Sequence, residues 1–327
     1  MARPMDSEEA PPTRPRLELV DAARGVAILA MVVYHLAWDL SYYRLISTDV
    51  TTHPAWVLFQ RSILSSFLVL VGVSLVLAHG KSMRWPGFWR RMAVLVAAAL
   101  AVTAGTYWMF PDYFVYFGIL HAIALFSLLA LPFLRLAPIL VLAGAALFVV
   151  PALFLSSPLF NTRPLAWIGF WSSQPETTDI VPIFPWFGMA LLGVAGARLI
   201  PALPLAARIG GWRARGKLSR GLIVAGRWSL LIYLLHQPIL LGAITLLSQV
   251  QPPVLQPEVL SRAESFVRSC RQTCAENGRT APYCESYCAC ALEQVETANL
   301  WDLVERPGAA QDEAIASVTR LCAAMAD

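Results

Sequence analysis

Residues 21–40 read DAARGVAILAMVVYHLAWDL. At about 20 residues the stretch is long enough to cross a bilayer core of roughly 30 Å as a helix. It also carries Asp21, Arg24, His35 and Asp39, and ionisable groups inside a span are costly and mark function. At about 100° per residue these four fall within an arc of roughly 60°. A helix gains nothing by turning such a stripe to lipid, so the stripe faces a bundle interior or a water-filled cavity. His35 lies about 21 Å above Asp21 along the axis. No small-residue cleavage site follows the apolar run, so it does not read as a removable signal peptide.

Six further stretches have the same length and character: 55–77, 92–110, 115–134, 137–155, 181–199 and 222–246. Of the 327 residues, 57% are hydrophobic and 14% charged, and the mean hydropathy is +0.58. An aqueous domain of this size carries about a quarter of its residues as charges. The composition excludes a disordered chain and a disulfide-only scaffold, and a net charge of +4 is too small for a nucleic-acid binder.

Sixteen Lys and Arg fall on one side of a seven-span topology, against Arg44, Arg61 and Arg163 on the other. This places the N-terminus in the cytoplasm and the C-terminus outside. All six cysteines lie after residue 250, in the compartment where disulfides persist. That region is acidic, with 6 basic against 11 acidic residues, whereas 1–250 carries 19 against 10. The expected architecture is all-α: a polytopic transmembrane bundle of about seven spans with a small disulfide-stapled helical extracytoplasmic domain. The expected divisions are a cytoplasmic tail over 1–16, a membrane domain over 17–250 and a periplasmic cysteine-rich domain over 251–327.

In that last domain Cys270-x3-Cys274 and Cys284-x3-Cys288 each lie on one face of a helix. Two helices joined by a turn at Asn277-Gly278 predict nested bonds, Cys270–Cys288 and Cys274–Cys284. Cys290–Cys322 then fastens a third helix. A zinc site on Cys284, Cys288 and Cys290 is the alternative, although the spacing differs from the usual knuckle. A three-helix unit this small needs such staples.

Other polar residues gather with the stripe. His121 lies about 9 Å into the fourth stretch from the outer side, and His236 is near the middle of the seventh. There Ser229, Tyr233 and His236 share a face, and Pro238 loosens the helix one turn back. His53 stands just outside the second. A histidine in such a place also serves as a plain structural hydrogen-bonder; Asp39 could pair with Arg61, and Asp21 with Arg24 could anchor the interface. No nucleophile elbow, Walker loop or dinucleotide fingerprint occurs, and the spans contain no cysteine.

Several strings carry a resemblance: Arg16-x4-Asp21-x2-Arg24-Gly25-x-Ala27 through Met31, His35 and Asp39-Leu40; Phe117-Gly118-Ile119-Leu120-His121; Asp179-x-Val181-Pro182-x-Phe184-Pro185-Trp186-Phe187-Gly188; and Gly226-Arg227-x-Ser229-Leu230-x-Ile232-Tyr233-x2-His236-Gln237-Pro238. Over about 16–246 the chain resembles bacterial membrane proteins classed with the catalytic domain of heparan-α-glucosaminide N-acetyltransferase. The last string is also similar to the end of the wider membrane acyltransferase group. The resemblance implies transfer of an acetyl (or other acyl) group from cytosolic acetyl-CoA to an amine or hydroxyl of an extracytoplasmic sugar or glycan. It implies a catalytic histidine in a His-x2-Trp context, matched by His53-Pro-Ala-Trp56. His35 departs from the animal enzymes, which carry Asn there, and their lumenal domain has no counterpart here.

Thioester acyl transfer needs a base for the acceptor proton and cations for the CoA phosphates. Arg24 and Arg227, with Asp21 and Tyr233 beside them, are the expected acetyl-CoA-binding residues. His35 or His53 is the expected base or acyl carrier, Asp39 orients an imidazole, and His121 and His236 line the site. No metal is expected. Expected partners are acyl-CoA, a sugar-containing acceptor and membrane lipid, with room for a homo-oligomer and for a periplasmic partner on the tail. The expected location is a bacterial inner membrane. A proton-coupled transporter is the alternative, since the same relay serves one. A haem carrier using His35, His121 and His236 would be coloured.

Overall fold

The computed structural model describes residues 17–80, 82–173, 175–250, 262–298, 300–301 and 309–326. The expected N-terminal tail over 1–16 lies outside them. By contact the chain divides into two compact units, Met1–Pro253 and Val254–Asp327.

In the first unit the helices are α1 (Glu18–Tyr42), α2 (Pro54–His79), α3 (Trp85–Met109), α4 (Ile119–Leu129), α5 (Pro138–Val149), a single turn α6 (Arg163–Ala166), α7 (Ile183–Leu199), α8 (Leu205–Gly211), α9 (Lys217–Arg227) and α10 (Ser229–Val250). Five of these, α1, α2, α3, α7 with the turn after it, and α10, are long and apolar enough to cross a membrane. The chain is a membrane protein. The expected fourth and fifth spans form α4 and α5, of 11 and 12 residues. These are only about 16–18 Å long. Before α4, residues 114–117 run outside any helix, paired with the 177–181 segment, and a Pro132–Leu134 turn closes α4.

That extended run is not left unsatisfied. Thr178 N–H donates to the Tyr113 carbonyl (2.8 Å) and Val181 N–H to that of Phe117 (3.0 Å). Thr177 Oγ1 donates to the Phe114 carbonyl at 2.8 Å. Non-helical backbone inside a membrane protein survives where protein covers it in this way.

The α1 stripe faces inward. Asp21 and Asp39 are buried with Ile28, Met31 and Tyr34, while Val26, Leu29, Val33 and Leu36 on the opposite face are exposed. This is the reverse of a soluble amphipathic helix, and it is what a lipid solvent selects. The helix packs on α2, α9 and α10. Its crossing with α9 is a close approach of two glycines: a Cβ on Gly25 would overlap the Leu222 carbonyl, and one on Gly226 the Asp21 carbonyl. Small residues let backbones meet where lipid supplies no hydrophobic drive. The expected seventh span breaks at Trp228, where φ −97° and ψ 13° separate α9 from α10. The aromatic core at the centre sets Phe126 against Phe187 at 5.3 Å between centroids.

The second unit contains α11 (Arg262–Glu276), α12 (Ala281–Thr297) and α13 (Ala309–Ala326). Gly278, at φ +75°, makes the left-handed turn between α11 and α12 that a glycine allows. The disulfides are Cys270–Cys288, Cys274–Cys284 and Cys290–Cys322, the nested pair and the third staple that the spacing predicts. The sulfurs that a zinc site would use are therefore in disulfides.

Candidate active site

A cavity of about 290 Å³ opens among α1, α2, α3, α4, α9 and α10. Three arginines, Arg24, Arg91 and Arg227, line it together with Tyr233. Arg24 donates to Asp21 Oδ1 at 3.2 Å and to Ser74 Oγ at 3.0 Å. Arg227 Nε reaches Asp21 Oδ2 at 3.4 Å. Asp21 thus spends both oxygens on bracing the two guanidinium groups, and the expected interface pairing of Asp21 with Arg24 forms part of this clasp.

Arg91 is the group that sequence reasoning missed, counting it only as a topology charge. The expected third span begins at 92, whereas α3 begins at Trp85. Arg91 therefore stands about 9 Å along a helix rather than ahead of one.

Beyond Tyr233 lie the histidines. The rings of Tyr233 and His236 are 5.8 Å apart, and those of His236 and His35 4.9 Å. Tyr34 stands 5.7 Å from His35. His236 Nδ1 lies 2.6 Å from the Tyr233 carbonyl oxygen. A carbonyl only accepts, so Nδ1 carries the proton and the neutral ring keeps its lone pair at Nε2. Pro238, lacking an N–H, loosens the ladder in this turn. Among the described residues that buried Nε2 has no partner.

Asp39 is fully buried. Its Oδ1 accepts from Gln237 Nε2 at 2.6 Å, and among the described residues it forms no ion pair with Arg61. Asp39 Oδ2 and Gln237 Oε1 are likewise buried without partners among the described residues. Three orphaned acceptors on two neighbouring helices cost about 1–3 kcal/mol each. Each would accept from an incoming hydrogen-bond donor. Gln237, although quoted in the motif, was not singled out as a site residue.

The other two expected histidines sit apart from this pair. His121 Nε2 lies 3.2 Å from Thr103 Oγ1, and that hydroxyl donates to the Val115 carbonyl; the imidazole therefore donates to Thr103. His53 is the exposed residue before α2, its N–H donating to the Asp49 carbonyl.

A further carboxylate, Asp179, enters from the loop before α7. The 113–117 and 177–181 segments bring it to the start of α4, where Oδ2 accepts from Ile119 N–H at 3.1 Å. A Cβ on Gly118 would come 2.5 Å from that oxygen, so only glycine leaves room. Burial pushes the Asp179 carboxyl up to about 6, and the Ile119 hydrogen bond offsets part of the rise.

The sequence model of heparan-alpha-glucosaminide N-acetyltransferase, catalytic domain, matches residues 16–238. The chain belongs to this family. No curated protein and no solved structure matches the chain. The match runs from just before α1 to Pro238, so it takes in the arginine cavity, the histidine pair and Asp179. Family membership makes the chain a membrane transferase of the acetyltransferase type.

Proposed function

We propose that the protein moves an acetyl group from cytosolic acetyl-CoA to an amine or hydroxyl of a sugar-containing acceptor on the far side of a bacterial inner membrane. The observation that carries this reading is the continuity of the arginine cavity with Tyr233, whose ring adjoins His236. In this reading Arg24, Arg91 and Arg227 hold the CoA phosphates by charge-assisted hydrogen bonds, and the pantetheine arm lies along the apolar wall toward Tyr233. The acceptor reaches His35 and His236 from the other side, its donors meeting Asp39 and Gln237. His236 Nε2 takes the proton from the attacking nitrogen or oxygen as it adds to the thioester carbonyl, and CoA departs as the thiol. His53 and His121 line the approach rather than touch the reacting atoms.

The charge bias supports a cytoplasmic N-terminus and a periplasmic disulfide-bonded tail. A proton-coupled transporter would use the same Asp and His groups, but it leaves the three arginines around the cavity without a task. The test supplies labelled acetyl-CoA to one face of oriented proteoliposomes and a mixture of amino sugars and glycans to the other. Label on the far-side acceptor, with free CoA released, supports the reading. Solute accumulation driven by a proton gradient without CoA release overturns it.

A further inference from the structure

Helix α9 turns two unlike faces to its surroundings. One packs on α1, with Ile223 and Gly226 buried. The other is Lys217, Arg220, Gly221, Val224 and Trp228, spaced i, i+3, i+4, i+7 and i+11, which share an arc of about 80° at 100° per residue. All five are exposed, Val224 at 54% and Trp228 at 59%.

This outer face is ordered by depth. Glu18, the first residue of α1, accepts from the Ala214 N–H at 2.9 Å. Since α1 is long and apolar enough to span, its first turn marks the level of the lipid headgroups, and the start of α9 lies beside it. Lys217 and Arg220 occupy that end, within reach of headgroups by extending their stems. Trp228 lies about 16 Å further along the helix, about the depth of one leaflet of a 30 Å core. Charge therefore gives way to apolar surface over the length of a single acyl chain. The one carboxylate at this end, Glu18, is spent on Ala214 and on Arg213, 3.9 Å away. Among the described residues none pairs with Lys217 or Arg220.

Gly221 sits in the middle of the stripe. Glycine weakens a helix interior, and at Gly226 the closeness of α1 explains it, whereas a Cβ on Gly221 would meet nothing within 4 Å. No protein neighbour requires it. Its effect is a shallow groove between the two cations and the two apolar side chains.

We infer that this face of α9 seats one anionic phospholipid. Its phosphate meets Lys217 and Arg220 by charge-assisted hydrogen bonds, and one acyl chain crosses Gly221 and follows Val224 to Trp228. Cations above and apolar surface below match the two halves of that molecule in order, and basic side chains at a membrane surface attract anionic lipid. A soluble anion would leave the lower half uncovered. The seated lipid backs α9 from outside at the helix whose Gly226 locks on α1 and whose Arg227 reaches Asp21, so it clamps the two helices together.

The test places the full-length protein in nanodiscs of phosphatidylcholine, alone or mixed with phosphatidylglycerol. The wild type is compared with the double variant Lys217→Gln, Arg220→Gln and with Gly221→Leu, which fills the groove, keeps both charges and favours the helix. Phosphatidylglycerol should raise the melting temperature of the wild type by about 2–8 °C and that of neither variant. Native mass spectrometry should show a phosphatidylglycerol retained by the wild type and lost from both. Gly221→Leu melting no lower than the wild type in phosphatidylcholine alone shows that its loss is of lipid and not of fold. Equal gains in all three proteins overturn the inference. A gain lost in the charge variant but kept in Gly221→Leu means diffuse attraction to the surface and overturns the seat. The same gain from inorganic phosphate in phosphatidylcholine discs overturns the lipid in favour of a free anion.

Discussion

The imidazole of His35, on the first helix, lies 4.9 Å from that of His236, on the tenth, with the ring planes 65° apart. The two are not equivalent. The Tyr233 carbonyl holds the Nδ1 proton of His236 and leaves Nε2 bare and buried. His236→Ala should lower acetyl transfer by about 10²–10⁴-fold, His35→Ala by less, and His53→Ala least of all. Steady-state rates in the three variants, with circular dichroism to check folding, give the order. A His53→Ala loss equal to that of His236→Ala would move the chemistry to the mouth of the protein.

The arginines divide by partner. Arg91 forms no ion pair among the described residues and lines the cavity, so Arg91→Ala should raise KM for acetyl-CoA about tenfold and spare kcat. Arg227→Ala also opens the Asp21 clasp, and should lower the melting temperature as well as weaken binding. Isothermal titration with CoA and with dephospho-CoA would resolve which phosphate each arginine meets.

At the crossing of α1 and α9 there is no room for a methyl group. Gly226→Ala must push the Asp21 backbone away, spreading the helices that place Arg24 and Arg227. A loss of about 1–3 kcal/mol is expected from such overpacking. Thermal unfolding should show a fall for Gly226→Ala and little change for Gly242→Ala, where a Cβ meets nothing within 4 Å.

The raised carboxyl of Asp179 has a stability consequence of definite sign. The folded state binds this proton more tightly than the unfolded chain, whose carboxyl titrates near 4. The favourable contribution is therefore complete below about pH 4 and is lost as pH rises through about 6. Asp179→Asn, which keeps the acceptor for Ile119, should match or exceed the wild type by about 1–2 kcal/mol at neutral pH. Melting curves at acid and neutral pH would read the difference.

Reduction should act on the tail alone. Its core is Cys274, Cys284 and Cys288 with Tyr283 and Tyr287, and Cys290 and Cys322 with Ala291 and Phe266. Loss of the Cys290–Cys322 link, which closes 32 residues, should cost roughly 3–4 kcal/mol. Limited proteolysis after Cys322→Ser should cut within the tail and leave the membrane helices intact.

The long helices were legible because a bilayer imposes one length and one solvent, and the α1 stripe because 3.6-residue periodicity brings Asp21, Arg24, His35 and Asp39 together. The tail pairing was legible from x3 spacing. The shortness of α4 was not. The run Val115-Tyr116-Phe117 is as apolar as a span, and its extended form depends on pairing with residues some sixty positions later. Asp179, though quoted in a motif, was not singled out for the same reason, since only that pairing carries a loop carboxylate to a helix start. Gln237 was hidden beside the better-marked His236; its partner Asp39 is 198 residues away.

The Asp21–Arg227 bridge spans 206 residues of chain. Asp21 has Arg24 of its own helix from the start, but at a synthesis rate of about 5–20 residues per second it waits about 10–40 s for its second counter-charge. Asp21 Oδ2 and Asp39, whose partners Arg227 and Gln237 come late, must be sheltered during that interval by something other than α9 and α10: translocon walls, headgroups or water drawn into the bilayer. Deletions late in the chain should therefore strand the first helix at the point of insertion, so that truncated products end in quality control rather than as shorter bundles.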